Sequence, residues 1–173
     1  MRWLIDGYNV IRLDAELRAA EAGGLEAGRA ALLRRLAGRA KDLDDVFTVV
    51  FDGARLRASE PPPSAPGGRI EVTFSRAPDT ADEVLRRLAE RWRDAAIVVS
   101  SDRAVQTSAR RSGAVAVSAG DFLDALAGGT AEATDDENED EDQASGRGRK
   151  QGNPRRASRD ERAARRALRR LRG

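Results

Sequence analysis

The chain has 173 residues, a formal net charge of +2, no cysteine and no histidine. Disulfides and thiol chemistry are therefore excluded, and with them the usual general base, the usual zinc ligand and any Ser-His triad. No apolar run is long enough to span a bilayer and no signal peptide opens the sequence, so a cytoplasmic location is expected.

The small net charge conceals three blocks. Residues 1–130 hold 19 basic and 19 acidic side chains, residues 131–143 hold eight acidic and no basic ones, and residues 144–173 hold twelve basic and two acidic ones. The expected organisation is a globular domain over 1–128, an acidic disordered linker over 129–145 and a basic, Arg-rich tail over 146–173. Charge blocks of this kind usually mark interaction tails.

Trp3-Leu4-Ile5 is an apolar run long enough for a buried strand, and it stops at Asp6-Gly7. A turn through Tyr8 and Asn9 is expected next, then a short helix from Asp14, broken by Gly23-Gly24. From Leu25 to Asp42 apolar residues recur at helical spacing (Leu32, Leu36, Ala40), which predicts an amphipathic helix. Val46–Phe51 is a β-branched and aromatic second strand ending in Asp52-Gly53. The Pro- and Gly-rich stretch from Arg55 to Gly68 reads as an exposed loop. Ile70–Phe74 alternates as a half-buried strand. Thr80-Ala-Asp-Glu83 opens a helix carrying Val84, Leu85, Leu88, Ala89 and Trp92 on one face. Ala96–Ser100 is a fourth strand, Asp102–Arg111 a helix, Ala114–Val117 a fifth strand and Asp121–Ala127 a last short helix. Strands alternating with helices predict a three-layer α/β/α sandwich around a mostly parallel sheet, followed by a disordered charged tail. Within that tail, Asp160–Leu171 has Ala164, Ala167, Leu168 and Leu171 on one face, the pattern of a helix that forms on a partner.

Three apolar runs thus each deliver an acid to one expected sheet edge: Asp6, Asp52 and Asp102. Asp6 is the strongest candidate, because Gly7 after it leaves room for a ligand to approach the backbone. Asn9 can orient Asp6 or bond a phosphate, and Tyr8 can contact a base or pack. Thr80 and Glu83 fit a capping box; Asp82 between them is not needed for one and can reach the edge that holds Asp6. Ser101-Asp102 ends strand four and caps the next helix. Asp79 is a weaker candidate, and Asp121 reads mainly as an N-cap. With no histidine, a nuclease needs Mg²⁺ or Mn²⁺ held by carboxylates to activate water and stabilise a pentacovalent phosphate. Neither GxxxxGK[ST] nor GxGxxG after the first strand is present, which argues against an NTPase or a dinucleotide enzyme.

Leu4-Ile-Asp-Gly-Tyr-Asn-Val10, Val50-Phe-Asp-Gly53, Thr80-Ala-Asp82 and Val99-Ser-Ser-Asp102, in this order and spacing, resemble the YacP-like NYN domain family of the PIN-like nuclease superfamily. The resemblance covers about residues 1–127. It implies a parallel α/β sandwich, an acidic site dependent on Mg²⁺ or Mn²⁺, and endoribonuclease activity, linked in bacterial members to mRNA cleavage on ribosomes. Matched motif by motif, the acidic cluster falls on Asp6, Asp82 and Asp102, with Asn9 and Asp52 nearby.

The expected reaction is in-line attack by water that leaves a 5′-phosphate. Substrate contacts are expected from Asn9, Tyr8 and Ser101, from Arg55, Arg57 and Arg69 around the long loop, and from the arm Arg147–Arg172. One alternative is a non-catalytic RNA- or ribosome-binding protein on a nuclease-like scaffold. Another is a phosphatase acting on small phosphate esters.

Overall fold

The computed structural model of the protein describes residues 1–55, 68–128 and 159–172. Its strands are β1 (Arg2–Asp6), β2 (Val46–Phe51), β3 (Ile70–Phe74), β4 (Ala96–Val99) and β5 (Val115–Val117). They form one fully parallel sheet in the order β3-β2-β1-β4-β5. The chain runs outward from β1 through β2 to β3, then crosses back to lay β4 on the other side of β1. The order therefore reverses at the β1–β4 pair, and in open α/β sheets the crevice beyond the carboxyl ends of such a pair is where ligands bind.

Parallel strands need crossover helices, which cover both faces. Successive side chains along a strand point to opposite faces, and the strands here are apolar on both. Trp3, Ile5, Phe47, Val49 and Phe51 belong to one core, closed by α1 (Gly7–Leu13), α2 (Ala15–Ala22), α3 (Leu25–Ala40) and α6 (Ala119–Leu126). Leu4, Val50 and Val98 belong to the other, closed by α4 (Ala81–Trp92) and α5 (Arg103–Arg111). Trp3 stacks on Phe47 with ring centroids 6.1 Å apart and tilts against Phe122 at 5.6 Å. The three layers match the expected sandwich. Among the described residues no helix is long and apolar enough to cross a membrane.

Four local expectations are corrected. The segment after Asp6 is not a turn but α1, with Asp6 as its N-cap; Asp6 accepts the Asn9 N–H at 3.2 Å, the bond that starts a helix where a turn was expected. The position a Gly7 side chain would take is filled by the Phe51 ring, 2.2 Å from an ideal Cβ, so this glycine admits an aromatic ring rather than a ligand. Helix α6 starts at Ala119 with Ser118, not Asp121, as its cap; Asp121 closes the cap from the third position through a 2.6 Å bond from the Ser118 hydroxyl.

The fourth correction concerns the tail. Residues 159–172 form α7 (Arg159–Arg172), which packs on β5 and α6 of its own domain. Its apolar stripe is the one visible in the sequence, but the surface that receives it is this chain's own core: Leu171 is fully buried and Ala167 nearly so, with Ala164 and Leu168 packed beside them. Burying a leucine contributes roughly 1.5–3 kcal/mol. Arg39 donates to the Leu171 carbonyl, and Arg170 reaches Asp45 at 3.1 Å. The fold therefore does not end at residue 128. The expected acidic linker, 129–145, and the arm up to residue 158 lie outside the described residues.

Candidate active site

The carboxyl ends of β1, β2 and β4 bring the predicted acids to one edge. Asp6 closes β1. Its Oδ1 accepts from the Asn9 backbone, and its Oδ2 accepts from the Ser100 hydroxyl at 3.2 Å. Ser100, buried at the end of β4, is the hub of this edge: its Oγ also accepts the Asp102 N–H at 3.1 Å, and its carbonyl accepts from the Gln106 side chain at 2.7 Å. Asn9 ties α1 to the same loop, its Oδ1 accepting the Ser101 N–H at 2.9 Å. One hydroxyl and one amide thus fix the first helix against the fourth strand, with Asp6 between them.

Asp102 caps α5, accepting the Ala104 and Val105 N–H groups at 2.6 and 3.2 Å on a single carboxylate oxygen. Asp52 follows β2 and accepts from the Ala54 N–H at 3.0 Å and the Ser75 hydroxyl at 3.3 Å. Gly53 makes that approach possible: a Cβ there would lie 1.9 Å from the Ser75 carbonyl oxygen. Asp82 is the second residue of α4, inside the expected capping box, in which the Thr80 N–H donates to Glu83 at 2.7 Å and the Glu83 N–H to Thr80 at 3.3 Å. Glu83 is thereby used as a cap. Among the described residues nothing donates a hydrogen bond to the Asp82 carboxylate.

The electrostatics show that these acids feel one another. Burial raises the Asp6 carboxyl above its ordinary range against the bonds from Asn9 and Ser100, and the charge of Asp82 adds to the rise. Asp82 is also raised, first by burial, then by the charges of Asp102, Asp52 and Glu83, with Arg86 acting against them. A pocket of about 290 Å³ is lined by Asp6, Tyr8, Asn9, Arg12, Asp52, Thr80, Ala81 and Asp82. Asp102 stands outside that lining and acts on Asp82 through its charge.

Among the described residues no three acidic side chains already form a ready-made metal cluster. The donor chemistry nevertheless fits a hard divalent cation. The donors are carboxylate oxygens alone, their repulsion is relieved by positive charge, and Mg²⁺ keeps several waters and needs only one or two direct carboxylates.

Other expected site residues are used elsewhere. Tyr8 lines the pocket but is largely packed, 4% exposed, edge-on to Phe51 with centroids 5.1 Å apart and accepting from Arg29 at 2.8 Å. Ser101 contributes its backbone N–H and leaves its side chain exposed. Asp79 pairs with Arg87 at 2.5 Å. Arg69 sits before β3, at the opposite edge of the sheet, paired with Asp44 at 2.9 Å, so it does not line the acidic pocket. Arg55 ends the short 3-10 turn after Asp52; its side chain and Arg57 lie outside the described residues.

Sequence reasoning missed Ser100, Ser75 and Arg12. Ser100 was visible as the one polar residue closing an apolar strand. Arg12 stands three residues after Asn9, on the same face of a helix that was read as a turn.

The model of the YacP-like NYN domain family matches residues 3–170, α7 included. The uncharacterized protein YacP of Bacillus subtilis (strain 168) is 30% identical over 123 residues, 69% of this chain and 71% of that protein. The crystal structure of Rae1 (YacP) from Bacillus subtilis superposes with a TM-score of 0.63 at 28% identity, covering 73% of this chain and 74% of that one. A mutant form of the same protein superposes at 0.60. NYN and PIN-like nucleases generally use divalent metals. The chain belongs to the YacP-like NYN domain family, and so to the PIN-like nucleases.

Proposed function

We propose that the protein is a metal-dependent endoribonuclease of the cytoplasm that hydrolyses RNA phosphodiester bonds, messenger RNA included, free or on the ribosome. The observation that carries this reading is the set of mutually repelling carboxylates at the β1–β4 switch point. Asp6 and Asp82 are both raised above the ordinary range by burial and by neighbouring acids. A protein that only bound RNA would gain nothing from lining this pocket with Asp6, Asp52 and Asp82 and setting Asp102 beside them.

Asp6, Asp82 and Asp102, with Asp52 beside them, would hold Mg²⁺ or Mn²⁺. When bound, such an ion lowers the pKa of water and neutralises charge on the scissile phosphate. The chain's own residues do the rest. Ser100 and Asn9 fix the Asp6 carboxylate in one orientation. Asp82, with no hydrogen-bond donor among the described residues and a raised proton affinity, takes the proton of the attacking water. The new P–O bond forms in line as the bond to the 3′ oxygen breaks; the leaving oxygen takes a proton from solvent and Asp82 returns its own to solvent, giving a 3′-hydroxyl and a 5′-phosphate. Because the RNA 2′-hydroxyl takes no part, RNA preference must reside in binding.

The test is cleavage of an end-labelled single-stranded RNA with Mn²⁺, Mg²⁺ or EDTA by wild type and by Asp6→Asn. Cleavage that needs metal and is lost in the folded variant is expected. Equal rates in the two proteins would overturn the assignment. If free RNA is bound but not cut, the same comparison on translating ribosomes separates a ribosome-dependent nuclease from a pure binder.

A further inference from the structure

A second surface adjoins the acidic edge and carries the opposite charge. Between α4 and α5 runs a groove of about 540 Å³ lined by Arg86, Arg103, Ala104, Thr107, Ser108 and Arg111. It starts where the acids end: Arg86 is one helical turn beyond Asp82, and Arg103 follows Asp102 directly.

Arg86 partly offsets the acids around Asp82, but no acid stands against Arg103 or Arg111 at ion-pair distance among the described residues. Among the described residues none of the three arginines forms an ion pair, and the Arg86 Nε is buried with no hydrogen-bond partner. Arg103 occupies the first turn of α5, where a cation opposes the helix dipole, and the acid beside it, the Asp102 cap, spends one carboxylate oxygen on the Ala104 and Val105 N–H groups. Arg103, Thr107 and Arg111 repeat every four residues, so two guanidiniums and a hydroxyl form one stripe along the helix. The outer two stand about 12 Å apart at 1.5 Å of rise per residue. That span is too long for a single phosphate and suits phosphates two nucleotides apart on one strand.

We propose that the α4–α5 groove is the substrate-backbone subsite. The RNA strand leaves the carboxylates between α4 and α5, with Arg103 and Arg111 on consecutive parts of its phosphate chain, Arg86 nearest the scissile phosphate, and Thr107 donating to a phosphate oxygen. This deepens the endoribonuclease reading and rests on it for the identity of the strand. A path over these helices places RNA on one defined side of the acidic pocket. It also separates the group that reacts from the groups that grip.

The experiment measures equilibrium binding of a fluorescent single-stranded RNA to full-length Asp6→Asn protein across a range of salt concentrations. The added changes are Arg103→Gln with Arg111→Gln or, as a charge-matched control, Arg18→Gln with Arg34→Gln on the exposed surface of α2 and α3. Binding to a single strand loses about 0.7 in log–log salt slope per phosphate contact removed. The groove pair is therefore expected to flatten the slope by about 1.4 and to weaken binding at least tenfold at low salt, while the control pair changes neither. An equal loss in both pairs, or none in the groove pair with circular dichroism unchanged, overturns the subsite. Because binding is read without cleavage, a wild type that cuts nothing would overturn the enzyme and leave the subsite standing. Normal metal-dependent cleavage with an unaffected groove pair would do the reverse.

Discussion

The two ends of the sheet treat the same residue in opposite ways. At the amino end, Asp45 stands just before β2, 1% exposed. It accepts from the N-terminal ammonium at 2.8 Å, from the Trp3 indole at 3.0 Å and from Arg170 at 3.1 Å. Burial alone would push its carboxyl up, but those bonds and the two positive charges overcome it and hold the carboxyl below the ordinary range. At the carboxyl end, Asp6 and Asp82 are also partly buried, yet their neighbours are other acids and both are pushed up. Burial is common to both ends; the sign of the neighbours decides. A compensated buried aspartate holds elements together, whereas an uncompensated pair keeps electrostatic energy in reserve for something that must bind there. Perturbed carboxylates gathered in a cleft are what a functional site requires.

The comparison breaks most visibly on exchanging single residues. Asp82→Asn keeps the shape and removes the charge, so cleavage is expected to fall roughly 10²–10⁴-fold, the range for a positioned proton-transfer group, while thermal unfolding shows a folded protein. Asp45→Ala is expected to do the converse. It strands the buried Trp3 N–H, which costs roughly 1–3 kcal/mol, while water reaches the two cations it leaves, one about a third and one more than half exposed. Urea unfolding should show that loss, with the cleavage rate per folded molecule retained at low temperature. A drop in cleavage without loss of stability would mean that the amino end also serves the chemistry.

Helix α7 sharpens the same contrast, because it belongs wholly to the compensated end. Leu171→Ala empties a fully buried position, and such truncations cost roughly 2–5 kcal/mol. Amide exchange across α7 should accelerate while the Asn9 and Ser101 amides, bonded to Asp6 and Asn9, stay protected. Uniform acceleration over both ends would show that α7 and the sheet unfold as one unit.

Much of this was legible in the sequence, for identifiable reasons. Buried parallel strands are short apolar runs; β1 ends on Asp6, and β2 and β4 are followed at once by Asp52 and by Ser100, because the sheet edge meets solvent there. That pattern located Asp6, Asp52 and Asp102. The capping box located α4 and, within it, the acid the cap does not need. What failed was one local bond and otherwise contacts between residues far apart in sequence. Whether Asp6 opens a turn or a helix depends on the Asn9 N–H turning back to it. Gly7 looked like space for a ligand because nothing local reveals the Phe51 ring across the sheet. The stripe of α7 was read correctly as apolar, but its receiver, the surface of β5 and α6, exists only once the domain has folded.

The smallest expected effect is also the most discriminating, because it reads both ends in one titration. Asp45 has a folded carboxyl below its unfolded value, so its stabilisation is present at neutral pH and disappears as pH falls through the folded value. Asp6 and Asp82 have folded carboxyls above their unfolded values, so their contribution is present in acid and is lost as pH rises through the folded values. At neutral pH, then, the acids of the candidate site weaken the fold. Asp82→Asn is expected to raise the thermal midpoint in EDTA by a few degrees, each 1 kcal/mol shifting a domain of this size by about 2–4 °C, and that gain should vanish in acid. On the proposed reading, saturating Mn²⁺ would supply the missing positive charge. At a hundred times its dissociation constant a ligand stabilises by about 2.7 kcal/mol, so Mn²⁺ should raise the wild-type midpoint while leaving Asp82→Asn nearly unmoved. A variant that is no more stable than wild type at pH 7 would mean the carboxylates are relieved by a partner within the chain, and the case for an ion in the pocket would lose its electrostatic basis.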